Sequence, residues 1–75
     1  MRRFEYIGGG SRKFWEIERV GRNVFCRFGR LDTSGQTRSW WSNSELAASV
    51  MESDRIAEML AKGYVEVTKW NEPPM

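Results

Sequence analysis

Hydrophobic and polar residues alternate along the first half of the chain. Within Lys13–Val20, Trp15 and Ile17 fall on one face while Glu16 and Glu18 fall on the other. A period of two is typical of a strand with one buried face. Enrichment in aromatic and β-branched residues extends the same interpretation to other segments. The predicted strands are Arg2–Ile7, Lys13–Val20, Val24–Leu31, Gln36–Trp41 and Tyr64–Trp70.

Residues that favour turns separate these strands. Gly8-Gly9-Gly10-Ser11 predicts a flexible loop after an edge strand, because glycine costs the most conformational entropy to order. Gly21-Arg22-Asn23 predicts a hairpin between the second and third strands. Asp32-Thr33-Ser34-Gly35 predicts a turn in which Asp32 bonds its own downstream backbone and Gly35 adopts a left-handed conformation.

A single long helix is predicted after the fourth strand. Its N-terminal cap is expected at Ser42, with Glu45 completing a capping box, or at Asn43. The helix should end near residues 61–62, because Gly63 is a favourable stop after the last turn.

At 100° per residue, this helix carries an apolar stripe that is predicted to pack on the sheet. Asp54 falls inside the stripe, which leaves two alternatives: the helix kinks near it, or the carboxylate reaches out from the margin. Glu52, Arg55 and Met59 are predicted to point away from the sheet. The stripe consists of Leu46, Val50, Ala57, Leu60 and Ala61, with Ala47 and Met51 at its margin.

These elements predict an α+β fold in the order β-β-β-β-α-β. A small antiparallel sheet of about five strands would pack on one long helix, which is an economical two-layer way to close a domain of this size. We expect residues 1–75 to form a single domain, with residues 70–75, which include two prolines, as a flexible tail.

The composition argues against catalysis and against bound metal. The 75 residues include no His and one Cys, Cys26, so the commonest general base is lacking and neither an internal disulfide nor a zinc site can form. No nucleophile with an adjacent base stands out. No leader segment is evident, and no apolar run is long enough to span a bilayer. We expect a cytoplasmic, non-catalytic protein without cofactor, metal or membrane attachment.

Charge is distributed unevenly along the chain. Residues 1–43 hold nine basic and four acidic side chains, a charge of +5, whereas residues 44–75 hold three basic and six acidic ones, a charge of −3. The basic part interleaves arginines with aromatic rings, which suits nucleic acid because guanidinium groups bind phosphate and rings stack on bases or sugars. Core aromatics with a solvated arginine rim would give the same composition. The residues concerned are Phe25, Arg27, Phe28, Arg30, Arg38, Trp40 and Trp41.

Alternation places the two adjacent tryptophans of the fourth strand on opposite faces. Trp41 precedes the predicted helix cap and shares a face with Thr37 and Ser39. We therefore predict that Trp41 is buried and that Trp40 is exposed beside Arg38.

Four segments carry a family resemblance: Lys13-Phe14-Trp15-Glu16-Ile17, Arg27-Phe28-Gly29-Arg30-Leu31, Thr33-Ser34-Gly35-Gln36-Thr37 and Lys62-Gly63-Tyr64. In sequence and spacing they resemble the WGR domain, over nearly the whole chain. WGR domains occur in poly(ADP-ribose) polymerases, where they help to recognise DNA breaks, and in bacterial proteins, some of them short stand-alone chains. The Lys-Gly-Tyr ending resembles the bacterial branch.

The resemblance implies roles for the third strand and the turn after it. The family's tryptophan, which packs against a nucleotide sugar at a DNA terminus in the polymerases, corresponds to Phe28. Its arginine, which reaches a terminal phosphate or a neighbouring domain, corresponds to Arg30. Gly29 keeps the backbone between them unhindered, and Gly35-Gln36 matches the turn of the motif. Phenylalanine keeps a stacking face without the indole N–H, and Asp32, where the family usually has glycine, would repel phosphate or pair with the arginine.

We hypothesise a nucleic-acid-binding module that contacts DNA, rather than RNA, without reading its sequence. A protein–protein interaction module that presents the same surface to an acidic or apolar partner is the alternative, since Trp, Tyr and Arg also dominate protein interfaces. A homodimer through the exposed edge strand and Trp40 is a third. The predicted contact residues are Arg27, Phe28, Gly29, Arg30, Gln36, Arg38 and Trp40.

Overall fold

The computed structural model describes residues 1–67 and contains one antiparallel sheet and one long helix. The predicted α+β class and element order are confirmed. The predicted tail at residues 70–75 and the end of the last predicted strand lie outside the described residues. The elements are β1 (Arg2–Gly8), β2 (Ser11–Val20), β3 (Asn23–Arg30), β4 (Gln36–Trp41), α1 (Glu45–Ala61) and β5 (Val65–Glu66).

Two-residue turns join the first three strands. Gly9 and Gly10 connect β1 to β2 with φ angles of +56° and +82°. Positive φ at both central residues is what a type I′ hairpin turn requires, so the glycine run forms a tight turn and the predicted flexible loop is wrong. Gly21 and Arg22 form the second hairpin turn, as predicted.

The strands are arranged in the order β4-β3-β2-β1-β5. β5 pairs with the outer side of β1 through Phe4↔Glu66 and Glu5↔Val65. The prediction that β1 is an edge strand is therefore wrong. Within residues 1–67, β4 and the two-residue β5 form the edges of the sheet.

The core lies between the sheet and one side of α1. Trp15 and Ile17 of β2 point toward the helix, as the alternation predicts, and the rings of Phe4 and Trp15 lie 5.5 Å apart. We call this side of the sheet the helix face and the other side the open face. The buried residues of the core are Phe4, Trp15, Ile17, Val24, Cys26, Ala48 and Ile56.

The N-terminal cap of α1 is Ser44, whose hydroxyl accepts a hydrogen bond from the Ala47 N–H at 3.0 Å. The predicted caps Ser42 and Asn43 are wrong. The Ser42 N–H still donates to the Arg22 carbonyl at 2.9 Å, which continues the pairing of β4 with the β3 side of the sheet. Because Ser42 still takes part in strand pairing, the helix begins later, and its cap is Ser44.

The helix packs on the sheet through a different side from the predicted one. Ala48 and Ile56 are its buried positions, while Leu46 is 75% exposed and Val50 is also exposed. The predicted apolar stripe therefore faces solvent. Asp54 needs neither a kink nor a special reach, because the surface that it occupies is exposed.

Long side chains that were expected to point away complete the helix–sheet interface instead. Met59 packs against the core, and the Arg55 guanidinium lies 4.6 Å from the centre of the Trp40 ring. Arg19 Nε is 3.6 Å from the Glu52 carboxylate at the other margin. The aliphatic parts of the Arg19 and Arg55 side chains cover apolar surface, while their guanidinium groups contact Glu52 and Trp40. A pattern of hydrophobic residues alone therefore assigns the wrong side of α1 to the sheet.

The turn after β3 folds back closely onto the strand. A Cβ added at Gly29 would lie 2.9 Å from the Gly35 Cα, and one added at Gly35 would lie 2.5 Å from the Phe28 carbonyl oxygen and 2.8 Å from the Phe14 ring. Gly35 has a φ of +77°, the left-handed conformation predicted for it. Thr33 fixes the turn, because its N–H and its hydroxyl both donate to the carbonyl at the end of β3.

Gly35→Ala should lower the free energy of unfolding by about 2–4 kcal/mol, because the new Cβ would be strained at positive φ and would meet backbone. Gly10→Ala is the matched control: its φ is +82°, but nothing lies within 4 Å of its Cβ. We expect that variant to lose only about 1 kcal/mol. Urea denaturation of both measures the difference, and equal losses would contradict the importance of the close approach.

Candidate functional site

The predicted contact residues divide between the two faces of the sheet. Phe28, Arg38 and Trp40 lie on the helix face, next to buried residues of the neighbouring strands. Arg27 and Gly29 have the opposite parity and belong to the open face. Because successive residues of a strand alternate between faces, the predicted set does not form one continuous surface.

A cleft of about 280 Å³ separates the C-terminal half of α1 from β3 and β4 on the helix face. Phe28 and Trp40 line it with aromatic rings, and both rings pack partly against the core. Lys13, Arg38 and Arg55 also border it. We call it the aromatic cleft; it combines ring faces with three cations.

The two tryptophans of β4 are placed the other way round from the prediction. Trp40 packs against the core opposite the buried Val24, whereas Trp41 is 61% exposed on the open face opposite Asn23. The Arg22 guanidinium lies 5.9 Å from the centre of the Trp41 ring. Nearness to the helix suggested that Trp41 is buried, but the buried cross-strand neighbour is the better indicator, and it belongs to Trp40.

Arg30 lies at the end of β3 with its side chain 80% exposed. Its Nε is 3.8 Å from the Asp32 carboxylate, which is 77% exposed, and a pair so open to water contributes little. The donors of Arg30 therefore remain accessible. Arg12, Lys13 and Arg30 line a second hollow of about 530 Å³, which we call the cationic hollow. Lys13 borders both this hollow and the aromatic cleft.

Three cations of the site are absent from the predicted set. Arg12 and Lys13 are detectable from strand register, because Lys13 faces Arg30 across β2 and β3. Arg55 is missing from the predicted set because the hydrophobic stripe assigns the wrong side of α1 to the sheet. Gln36, which was predicted, is exposed opposite Phe28 at the start of β4.

Arg27 is engaged on the open face. Its Nε lies 3.0 Å from Oε1 of Glu16, and Nη1 donates to the Ser34 carbonyl at 2.6 Å. Arg3 donates to the same carboxylate at 2.6 Å, and both guanidinium groups lie over the Phe14 ring, 4.6 and 4.7 Å from its centre. Glu16 thus holds two arginines over a buried ring that α1 does not cover.

The Glu16 carboxylate stays ionised in this network. Burial alone would raise the pKa of Glu16, but the hydrogen bonds from Arg27 and Arg3, together with their charges, outweigh burial and lower the pKa below its ordinary value of 4.5. The carboxylate is therefore charged throughout the neutral range and retains both arginines.

The relatives of the chain establish its family. The family model of the WGR domain matches residues 1–71. The chain belongs to the WGR family. It is 37% identical over 71 residues to protein YehF of Escherichia coli strain K12, a match that covers 95% of the chain and 26% of YehF.

A crystal structure of a Bacteroides fragilis protein resembles this WGR domain with a TM-score of 0.84 at 38% identity. The match covers 87% of this chain and 18% of that one. The chain therefore spans about a quarter or less of the length of these two relatives.

Within Arg27-Phe28-Gly29-Arg30, which contains the positions that correspond to the WGR motif, two residues support the fold and two line the hollows. Gly29 is held against Gly35, and Arg27 is held by Glu16, so these two positions support the fold. Phe28 and Arg30 instead reach the aromatic cleft and the cationic hollow. Within residues 1–67, no helix has the length and apolar character needed to cross a membrane, and no group of three or more His, Cys, Asp or Glu residues is placed to hold a metal ion.

Glu16→Gln should lower the free energy of unfolding by about 1–3 kcal/mol near neutral pH, because charge-assisted hydrogen bonds to two arginines are weakened. The folded-state pKa of Glu16 lies below 4.5, so its stabilising contribution is present above that pH and is lost as pH falls through the lower folded-state value. Denaturation curves of both proteins from about pH 7 to about pH 3 should therefore converge on acidification.

Glu18→Gln is the control for this prediction, because Glu18 is exposed on the same strand and the same face. We expect its effect to stay within about 0.5 kcal/mol. A loss in Glu16→Gln that is independent of pH would contradict an electrostatic origin for the contribution of Glu16.

Proposed function

We propose that this WGR domain is a non-catalytic module that binds nucleic acid, with DNA as its ligand and without base-specific contacts. The aromatic cleft is the observation that supports the proposal most strongly, because it combines Phe28 and Trp40 with the cations Lys13, Arg38 and Arg55. WGR domains of poly(ADP-ribose) polymerase-related proteins are nucleic-acid-binding modules, and this chain shares their family.

The aromatic cleft suits one sugar or base rather than a whole duplex. Its volume of about 280 Å³ lies at the small end of ligand pockets. Phe28 offers the ring face against which a terminal sugar or base would pack, and such stacking tolerates any base. The choice of DNA over RNA rests on the likeness to the polymerase domains, because ring stacking suits either sugar.

Backbone phosphates would follow the cations that lead away from the cleft. Arg38 lies on its border, and Lys13 joins it to the cationic hollow, where Arg30 and Arg12 lie. Asp32 also lines that hollow, so phosphate would approach from the side of Arg12 and Lys13. These are phosphate contacts, which position a nucleic acid without reading its bases.

Arg27 is not among the proposed contacts, although its residue type suits phosphate. Its guanidinium is bonded to Glu16 and to the Ser34 carbonyl on the open face. Recruiting it would break hydrogen bonds that hold the turn and would expose Phe14. Lys13 and Arg55 take its place in the proposed contact set.

Phe28→Ala should weaken binding of a short blunt duplex with a 5′ phosphate by about 5- to 150-fold, because a stacking face is lost.

Arg38→Gln should weaken binding of the same duplex by about 3- to 10-fold through loss of one phosphate contact. Arg22→Gln is the matched control, since Arg22 is an exposed arginine beside Trp41 and outside both hollows. We expect less than about a twofold change for it in fluorescence anisotropy at constant salt. Equal losses of affinity in Arg22→Gln and Arg38→Gln would indicate that the duplex is attracted by the overall positive charge and not by the aromatic cleft.

Salt dependence separates this function from a protein–protein interaction module. Binding through phosphates should fall steeply between about 50 and 200 mM salt, and Arg38→Gln should reduce the slope by about one. An aromatic-anchored protein interface would lack that slope. Nuclear magnetic resonance shift changes confined to the two hollows would support DNA binding, whereas an unchanged spectrum would favour the acidic protein partner.

A further inference from the structure

β4 exposes one side of its backbone at the edge of the sheet. The Ser42 N–H donates to the Arg22 carbonyl, and in an antiparallel pair the bonded positions recur at every second residue. The even-numbered residues of β4 therefore bond to β3. The odd-numbered residues Thr37, Ser39 and Trp41 direct their N–H and C=O groups away from the sheet, where no strand within residues 1–67 pairs with them.

Lysine, proline and a bulge are absent from β4. Proteins shield open edges with lysine, proline or a bulge. β4 has the sequence Gln-Thr-Arg-Ser-Trp-Trp, and its register against β3 is continuous over all six residues. Arg38 is its single charge, and that side chain lies on the helix face.

The open face beside this edge carries a groove and a side chain of matching character. A groove of about 270 Å³ has Phe25, Arg27, Thr37 and Ser39 in its lining, and Phe25 is 40% exposed. Trp41 projects from the same face at the other end of β4 and is 61% exposed. One chain therefore offers both an aromatic side chain and a groove that could cover it.

We propose that two copies of this chain pair through β4 as antiparallel strands, about a two-fold axis that passes beside Ser39 and perpendicular to the sheet. Each Ser39 would exchange backbone hydrogen bonds with the partner's Ser39. The partner's Trp41 would lie opposite Thr37, over the groove lined by Phe25 and Arg27. The proposal does not require bound nucleic acid, because the pairing uses the backbone of the edge and the open face. On the helix face it brings Arg38, which borders the aromatic cleft, beside the partner's Trp40.

The register follows from hydrogen-bond parity and side-chain chemistry. Among the described residues, the odd-numbered positions of β4 are the ones whose backbone groups have no strand partner, so odd positions must meet odd positions. Centring on Ser39 gives three bonded pairs and sets Arg38 against the partner's Trp40, a favourable contact of a cation with a ring. Centring on Arg38 would oppose two like charges, and centring on Trp40 would leave two bonded pairs.

The contact is isologous and small. A two-fold axis makes each copy donate and accept the same groups, so the assembly closes at two subunits. Pairing Thr37 to Trp41 of each strand, with two tryptophans, buries less than about 1,200 Å², the range of weak specific interfaces, so we expect self-association at roughly 0.01–1 mM. The axis would also place both aromatic clefts on the same side of a continuous ten-stranded sheet.

Ser39→Cys should form a disulfide-linked dimer under mild oxidation. Bonded partners across antiparallel strands have Cα atoms about 5.5 Å apart, within the disulfide range of about 4.4–6.8 Å. Thr37→Cys is the matched control, since the register sets the two Thr37 residues about 13 Å apart along the strands. Cys26 does not compete, because it is buried and burial raises the pKa of its thiol. Cross-linking of Thr37→Cys as strong as that of Ser39→Cys would overturn the register.

Analytical ultracentrifugation from about 0.01 to about 1 mM should show the unmodified chain passing from monomer to dimer. Trp41→Ala removes the side chain that fills the groove, and Ser39→Pro removes an outward N–H while leaving the pairing of β4 with β3 intact. Each should weaken association at least about tenfold.

Leu46→Ala is the control for these variants, because it removes an exposed apolar side chain from α1 and should leave association unchanged. A chain that stays monomeric at about 1 mM would overturn the proposal. So would a dimer that dissociates in Leu46→Ala and persists in Trp41→Ala, which would assign the interface to the helix.

Discussion

The backbone of the turn between β3 and β4 packs directly against the strand that precedes it. Any side chain at Gly35 would collide with the Phe28 carbonyl and with the Phe14 ring. The turn therefore covers Phe14 on a face of the sheet that the helix does not reach. The buried ring in turn receives the guanidinium groups of Arg3 and Arg27. One packed unit on the open face therefore contains this turn, the Phe14 ring, the two arginines and the Glu16 carboxylate that binds them.

This unit also determines what happens on the helix face. Because the backbones at Gly29 and Gly35 meet without side chains, β3 and β4 are fixed in register. A slip of one residue would move every side chain of β4 to the other face. Phe28 and Trp40 consequently line one cleft, supported from behind by a partial third layer made of arginine side chains. Both faces of the sheet therefore carry organised side chains, although residues 1–67 form one helix.

Short-range patterns predict the elements of this fold well, since alternation and turn residues identify the strands along the chain and the inward direction of Trp15 and Ile17, although they misplace β1 at an edge of the sheet. These patterns give the wrong result where a residue distant in sequence determines whether a side chain is buried. Ala48 is buried because a small residue permits close approach to the sheet, and Arg55 is recruited by an aromatic ring, so the hydrophobic stripe misplaces the helix. At the candidate site, residue types lead to Phe28, Arg38 and Trp40 beside the aromatic cleft, but charge alone cannot distinguish Arg27, bound to a carboxylate, from exposed arginines.

The alternation of roles within Arg27-Phe28-Gly29-Arg30 has a consequence for variation among related sequences. Gly29 has no acceptable substitute, because its neighbour is backbone. Phe28 borders an open cleft, where a larger or smaller ring changes the shape of the cleft and leaves the backbone pairing of the strand unchanged. The fold therefore tolerates a different ring at Phe28 better than any side chain at Gly29. Phe28, which stands where the family's tryptophan is expected, is a change of this kind, because it alters the aromatic cleft and not the backbone contacts of β3.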